Sequence, residues 1–438
     1  MSEKVCMFVW NHFTNDARVL RECTALSENG YEVDLICIHD PKDKNLKRHE
    51  IRNENFHVHR VRRYPILLEL FQSVFRFLKE NKWVILPLFL LWGVVVYFFP
   101  ILTITITLFL GLLLKLKLVP WWIKASIYLR MVIKAYSKNY DIYHSNDLNT
   151  LLQGYISAKW RFKKKKLVYD SHEVQTSRTG YNSSVYGKLE GFLVRKIDSM
   201  IVENNTRAKY NEDLYGFYPH VVHNYPFKTI GENNEIINIH EMLGLPKGEK
   251  ILLYQGGIQI GRGLEKLVQA APLFKEGTLV FIGDGKQKSE LVKLVEDLNL
   301  MDKVKFISKV PLEDLPKYTK NAYLGFQVLN NVCFNHWSAS SNKLFEYMMS
   351  GVPVVACSFP EIKKVVEDEK IGICIDSHDY KDIARAVNIL LEDTDLRNEL
   401  SYNCLKAKDK YNWEEEKKLF LNVYQQVKVN KTVQEELN

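Results

Sequence analysis

Residues 342 to 355 read Asn-Lys-Leu-Phe-Glu-Tyr-Met-Met-Ser-Gly-Val-Pro-Val-Val, and few folds accommodate that order. Phe345, Met348 and Met349 recur at helical spacing on one face. Gly351 and Pro353 then stop the helix. Val354-Val355-Ala356-Cys357 follows without a charged side chain, as a strand covered on both faces of a parallel sheet requires. A helix delivered into such a strand belongs to an α/β layer architecture. It holds the carboxylate of Glu346 beside the ligand-binding edge of that sheet. Glu346 then either grips two vicinal hydroxyls of a nucleotide ribose or is an ordinary solvated helix glutamate.

The same grammar runs through the chain. Strands are predicted at Val5–Val9, Glu32–Ile38 and Phe56–Val61, with a helix over about 16–29. After an insertion come strands at Ile142–His144, Leu167–Tyr169 and Ser199–Val202, with a helix near Leu151–Trp160. A second set follows at Lys250–Tyr254, Thr278–Ile282, Val304–Ile307, Ala322–Gln327, Val354–Cys357 and Gly372–Ile375. Strands alternating with helices predict doubly wound parallel sheets.

A chain of 438 residues suits two such domains rather than one core. Asn224-Tyr225-Pro226 marks the exit from the first, and Gly231–Glu249 reads as a linker. We therefore expect a domain over residues 1–228 and a second over 229–412. Residues 413–438 supply an amphipathic helix near Trp413–Val427 and a polar tail from Asn430.

Composition excludes some functions. A hydrophobic fraction of 46% with 26% charged residues is that of a folded protein. The net charge is +8, yet the only dense basic run is Lys163–Lys166. It lacks interleaved aromatic residues and any reading motif, so no nucleic-acid partner is expected. An anionic membrane leaflet suits this charge better. The seven cysteines are scattered, never form Cys-x-x-Cys and often sit in apolar runs, as reduced core cysteines in a cytosolic compartment do. Met1-Ser2-Glu3-Lys4 leads straight into a strand, and no cleavable signal is expected there.

From Trp83 to Leu114 no side chain is charged. The run exceeds the ~20 residues that cross a bilayer as one helix. Pro100 divides it, and at ~1.5 Å per residue each half reaches only about 20–26 Å. Arg60, Arg62, Arg63, Lys79 and Lys82 precede the run; Lys115, Lys117 and Lys124 follow it. Basic residues at both ends put both on the cytoplasmic side. The expectation is a re-entrant or tightly turned hairpin over 83–117, flanked by interfacial amphipathic helices at Leu67–Leu78 and Trp121–Tyr136. The alternative is a buried pair of helices in a soluble protein.

Several motifs occur in a telling order: Asn15-Asp16-Ala17-Arg18-Val19-Leu20, Asp141-Ile142-Tyr143-His144-Ser145-Asn146-Asp147, Val168-Tyr169-Asp170-Ser171-His172-Glu173, Tyr254-Gln255-Gly256-Gly257, Gly261-Arg262-Gly263-Leu264, Phe281-Ile282-Gly283-Asp284-Gly285 and the 342–355 segment. Together they resemble family-four retaining glycosyltransferases of the GT-B architecture, which use nucleotide-sugar donors. The resemblance covers nearly the whole chain apart from the insertion and the extreme C-terminus. It implies two Rossmann-like domains facing a cleft, with the last helix packing back onto the first domain. Matches on both flanks also require both ends of the hairpin to share a compartment.

Ligands of such sheets bind outside the strands' carboxyl ends. Gly256 and Gly257 let the backbone approach a pyrophosphate, and Gly261-Arg262-Gly263 enters a helix whose first turn offers amide donors. Arg262 adds a bidentate grip. Gly283, Asn342, Lys343 and Glu346 complete the expected donor set. Two departures stand out. The resemblance places an arginine where Gly257 stands and a first glutamate where Ser338 stands, eight positions before Glu346. Lys343 either supplies a compensating charge to the donor phosphates or is a solvent-facing helix lysine. His172 matches a histidine that reaches the transferred sugar, which makes His172, Arg262 and Glu346 the expected catalytic set. His144, Asp147 and Asn11 are the acceptor-side candidates. Asp393-Thr394-Asp395 resembles a metal motif but reads as a helix cap. No metal ion and no cofactor are expected.

The resemblance thus implies a retaining, metal-independent transfer of a sugar from a nucleotide diphosphate to a hydroxyl of a lipid-linked glycan. The work would take place at the cytoplasmic face of the inner membrane, in cell-surface polysaccharide synthesis. The rivals are a nucleotide-sugar epimerase on the same frame and a non-catalytic membrane scaffold.

Overall fold

The computed structural model describes residues 2–41, 43–115, 118–177, 184–228 and 236–429. Part of the expected linker (229–235), two residues at the end of the expected hairpin (116–117) and the polar tail from Asn430 lie outside them. The chain divides into two compact units, Met1–Tyr169 and Asp170–Asn438.

The first unit carries β1 (Lys4–Phe8), β2 (Glu32–Ile38), β3 (His49–Asn53), β4 (Phe56–Val61), β5 (Ile142–Asn146) and the start of β6 (Lys166–Ser171). Their order is β3-β4-β2-β1-β5-β6. β1 is central, pairing in parallel with β2 (Cys6 opposite Asp34) and with β5 (Cys6 opposite Tyr143). Val5, Cys6, Met7 and Phe8 are all inaccessible, which explains why this strand reads as an unbroken apolar run. β3 is antiparallel to β4 and was not expected. Its His-Glu-Ile-Arg-Asn holds one apolar residue, so an edge strand facing water leaves almost no pattern to read. Asp16 caps the first helix, Ala17–Glu28, by accepting from the Val19 amide at 3.2 Å. Strand order reverses between β1 and β5, so the switch point lies at the residues after Phe8 and after Asn146.

The insertion between β4 and β5 forms helices Ile66–Glu80, Ile85–Phe98, Pro100–Lys115 and Val119–Tyr136. Pro100 does not merely break a helix. It opens the second one, where its missing N–H is no loss. Trp92 Nε1 donates to Thr107 Oγ1 at 3.2 Å, joining the two apolar helices. Among the described residues no single helix is long and apolar enough to cross a membrane. The pair Ile66–Glu80 and Lys82–Phe98 passes only together and is bent by 109°. The two apolar helices of the expected hairpin are therefore present, as Ile85–Phe98 and Pro100–Lys115. The fourth helix has a buried face through Ile127, Met131 and Ala135, and the first buries Leu68.

The second unit holds a short parallel pair, β7 (Ser199–Val202) and β8 (His220–Val221), and a six-stranded parallel sheet. The latter comprises β9 (Ile251–Gln255), β10 (Thr278–Ile282), β11 (Val304–Ile307), β12 (Ala322–Gln327), β13 (Val354–Cys357) and β14 (Gly372–Ile375). Its order, β11-β10-β9-β12-β13-β14, is that of a Rossmann sheet, with the switch point between β9 and β12. Apolar residues of helices 264–270 and 380–392 fill one face, and those of helix 342–349 the other. Asp393 is a cap, accepting from the Leu396 amide at 2.8 Å. The last helix, Trp413–Lys428, is tied to the 223–228 segment. Trp413 N donates to Pro226 O, and Glu416 accepts from His223 N at 2.7 Å.

Candidate functional site

At the switch point of the second sheet, β9 ends in Gln255 and the chain turns through Gly256 and Gly257. The end of β10 turns through Gly283. These backbones run so close that a Cβ on Gly283 would lie 2.0 Å from the Gly256 carbonyl oxygen. Gly256 has φ 121° and Gly283 φ 151°, conformations that a side chain disfavours. Glycine is needed here to let the two strand ends approach this closely. Gly263, also at positive φ, precedes helix Leu264–Ala270.

Lys343 lies over this turn. A Cβ on Gly256 would meet its Cδ at 3.2 Å, and its Nζ sits 5.6 Å from the Tyr254 ring centroid. The residue is only 9% exposed, so the alternative of a solvent-facing lysine does not hold. Burial, reinforced by the Arg262 guanidinium, lowers its pKa to about 7, with Glu346 pulling the other way. That mutual influence brings Arg262, Lys343 and Glu346 into one electrostatic neighbourhood.

Glu346 is held from below. Gln255 Nε2 donates to Glu346 Oε2 at 2.7 Å, while Thr319 Oγ1 donates to Gln255 Oε1 at 2.8 Å. The Tyr347 hydroxyl donates to Leu253 O and accepts from the Gln255 amide, fixing the helix against β9. Asn342 Oδ1 accepts from Asn224 Nδ2 at 3.1 Å. Gln255 escaped the sequence reading because a buried polar residue at a strand end looks like the strand simply stopping, and Thr319 and Tyr347 because their roles come from tertiary contacts made out of helices.

The two departures have distinct outcomes. Gly257 is exposed, and a Cβ there would find only Gln259 Cγ at 3.6 Å, so the turn leaves room for a side chain. Ser338 is fully buried; its hydroxyl donates to Phe334 O and accepts from Arg207 Nε at 3.2 Å. Arg207 also donates to His172 O, Asn335 O and the Glu203 carboxylate. A buried guanidinium thus gathers the segments carrying His172 and Ser338, another feature invisible in sequence. His172 follows β6, with Nε2 3.4 Å from Asp170 Oδ2. His336, also unanticipated, abuts Gly261, and burial together with Arg262 lowers its pKa.

The acceptor-side candidates stand in the first unit. Asp147 follows β5 at the switch point with φ 61° and ψ 163°, a conformation almost confined to glycine. Strain of this kind persists where surroundings enforce it, often at functional sites. His144 does not end the strand as expected. β5 runs two residues further, and His144 is wholly buried, 3.9 Å from Glu22 Oε2. Asn11 is occupied by its own loop: it donates to Asp16 Oδ2 and accepts from the Phe13 amide, both at 2.7 Å.

Residues 235–407 match the model of the family described as Glycosyl transferases group 1. That span contains every donor-side residue named above. The chain is 29% identical over 194 residues to the uncharacterized glycosyltransferase MJ1607 of Methanocaldococcus jannaschii, covering 43% of this chain and 48% of that one. It is 25% identical over 258 residues to a D-inositol 3-phosphate glycosyltransferase of a Nocardioides species, covering 54% and 55%. The chain thus spans about half the length of these curated relatives. Among solved structures it resembles the Anabaena protein Alr3699/HepE in complex with UDP and glucose, with a TM-score of 0.69 at 15% identity over 97% of this chain and 100% of that one. A sucrose-phosphate synthase from Thermosynechococcus elongatus gives the same TM-score at 16% identity, over 98% and 99%. The fold is GT-B-like, with two parallel-sheet, Rossmann-like halves. The epimerase and scaffold readings gain nothing from these matches.

Proposed function

We propose that the protein is a retaining glycosyltransferase that moves a sugar from a nucleotide diphosphate to a hydroxyl of a lipid-linked glycan acceptor. The observation that carries this reading is the convergence of Arg262, Lys343 and the braced carboxylate of Glu346 around the Gly256–Gly283 turn. In this reading Glu346 binds the ribose hydroxyls, and Arg262 with Lys343 neutralises the diphosphate. Charge grows on the leaving phosphate as the glycosidic bond breaks, and two cations in a half-dry site stabilise it more strongly than water would. His172 orients the transferred sugar, and Asp147 the acceptor hydroxyl. The buried His144 and the loop-bound Asn11 drop out of that role.

The functional division places the acceptor half at 1–228, the donor half at 229–412 and a crossing helix and tail at 413–438. The insertion over 83–117 seats the enzyme on the cytoplasmic face of the inner membrane, raising the local concentration of a lipid-borne acceptor. Chemistry proceeds without a metal ion, because the two cations take the charge a metal would take. The setting is cell-surface polysaccharide synthesis.

The test is transfer from radiolabelled UDP- and GDP-sugars to a lipid extract, with and without a chelator. The reading expects chelator-insensitive labelling of the lipid phase with the donor's anomeric configuration kept. Inverted product, or hydrolysis alone with every donor and acceptor, would contradict it.

A further inference from the structure

The insertion builds a groove for which the donor site has no use. Helix Ile66–Glu80, helix Pro100–Lys115 and the start of helix Val119–Tyr136 enclose about 790 Å³. Leu67, Phe71, Ile106, Phe109, Trp121 and Trp122 form most of its wall, and every side chain lining it is apolar. Such a cavity offers water no partners and is filled by an apolar chain instead.

The groove's position follows from contacts within the first unit. Helix Val119–Tyr136 runs antiparallel to β5. Near its end, Ala135 O accepts from the Tyr143 hydroxyl at 3.5 Å, towards the amino end of that strand. Further back, Tyr128 packs on Trp10 at 4.9 Å between ring centroids, just beyond the carboxyl end of β1. Trp122 lies six residues earlier, about 9 Å further out along the helix axis. The groove therefore sits beyond the same carboxyl edge that carries the strained Asp147.

Its rim is basic. Arg130 donates to the carbonyls of Arg62 and Tyr64, pinning the Arg62–Tyr64 segment against the fourth helix just before Leu67. The Arg63 guanidinium lies over Tyr64 and the Lys124 ammonium over Trp121, at 5.5 and 5.4 Å. Among the described residues neither has a carboxylate partner. An apolar slot with unneutralised cations at its mouth matches an amphiphile with one long apolar chain and an anionic head.

We propose that this groove seats the chain of a single-chain lipid phosphate, the carrier end of the acceptor, and so delivers its head group to the carboxyl edge of the first sheet. The inference rests on the lipid-linked acceptor reading above and adds the place where the lipid is held.

The experiment is photo-crosslinking of the full chain in detergent micelles and in zwitterionic nanodiscs. One probe is a benzophenone-bearing isoprenoid diphosphate; the other is a two-chain phosphatidylglycerol carrying the same group. The isoprenoid probe is expected to label peptides 66–74 and 119–125, with displacement by unlabelled polyprenyl phosphate. Leu67→Glu and Phe109→Glu, at positions 68% and 59% exposed, should lower labelling at least fivefold without moving the thermal unfolding midpoint. Equal, undisplaced labelling by the two-chain probe would make the groove an ordinary bilayer contact and overturn the proposal, as would labelling elsewhere or none. Sugar transfer to a lipid acceptor without groove labelling would sink the groove alone. Groove labelling without transfer to any lipid acceptor would sink the functional reading and leave the lipid site standing.

Discussion

Gln255 Nε2 donates to Glu346 Oε2 across 2.7 Å, from a side chain with no exposed surface of its own. The bond turns an otherwise mobile helix carboxylate into a fixed one. Gln255→Leu removes the brace and its bond with Thr319, whose hydroxyl keeps Leu315 O as an acceptor. Loss of such a charge-assisted bond is worth about 1.5–3 kcal/mol. Donor affinity should fall by roughly tenfold or more, measured by calorimetry with the preferred nucleotide sugar, while Thr319→Val should give a smaller loss.

Lys343 should make donor binding pH-dependent. Its folded pKa, about 7, lies below the ordinary lysine value of 10.5. The unfolded chain therefore binds the extra proton between those values, and stability rises with pH through that window. At pH 7 and below, burial of the ammonium destabilises in full. A bound diphosphate favours the charged form, so above pH 7 binding must take up a proton. Affinity should drop by up to roughly tenfold per pH unit between 7.5 and 9, with proton uptake seen in buffers of different ionisation enthalpy. Lys343→Met should bind weakly and lose that slope.

Gly257 and Gly283 predict opposite outcomes for adding a side chain. Gly257→Arg meets only ordinary contact distances and supplies a second arginine near the diphosphate. It should fold normally and tighten nucleotide diphosphate binding by about tenfold. Gly283→Ala drives a methyl into the Gly256 carbonyl and should abolish binding or yield little folded protein. Thermal unfolding with and without UDP or GDP separates the two.

Arg207→Lys should reveal a positioning role. Lysine keeps the pair with Glu203 but cannot reach Ser338, His172 O and Asn335 O together. We expect a loss of about 1.5–3 kcal/mol in denaturant unfolding, from hydrogen bonds the guanidinium alone can make. The accompanying fall in kcat should exceed the change in donor KM, because the His172 segment loses its anchor while the Glu346 side of the site is untouched.

Much of this was legible in the chain. Strands β2, β4, β7 and β10 to β14 have the bounds the sequence predicts: β13 is an unbroken apolar run buried throughout, while β4 alternates buried Phe56 and Val58 with half-buried histidines. β3 was missed because a solvent edge imposes no such pattern. Glu346 and Arg262 are singled out as candidates by the family resemblance of their motifs. The partners that fix the site could not be singled out in this way: Gln255, Thr319 and Arg207 act through tertiary contacts between residues far apart in sequence. The burial of Lys343 and His144 is likewise a property of packing, not of local pattern.

Nucleotide-sugar binding by the wild-type chain, Glu346→Ala and Lys343→Met tests the donor site itself. A panel of UDP-, GDP- and other nucleotide sugars would be read by thermal shift and calorimetry. Saturable binding of one donor class is expected, weakened at least tenfold by either substitution, with both variants still folded. Binding that neither substitution alters, or no binding by the wild-type chain to any nucleotide sugar, would contradict the donor-site assignment.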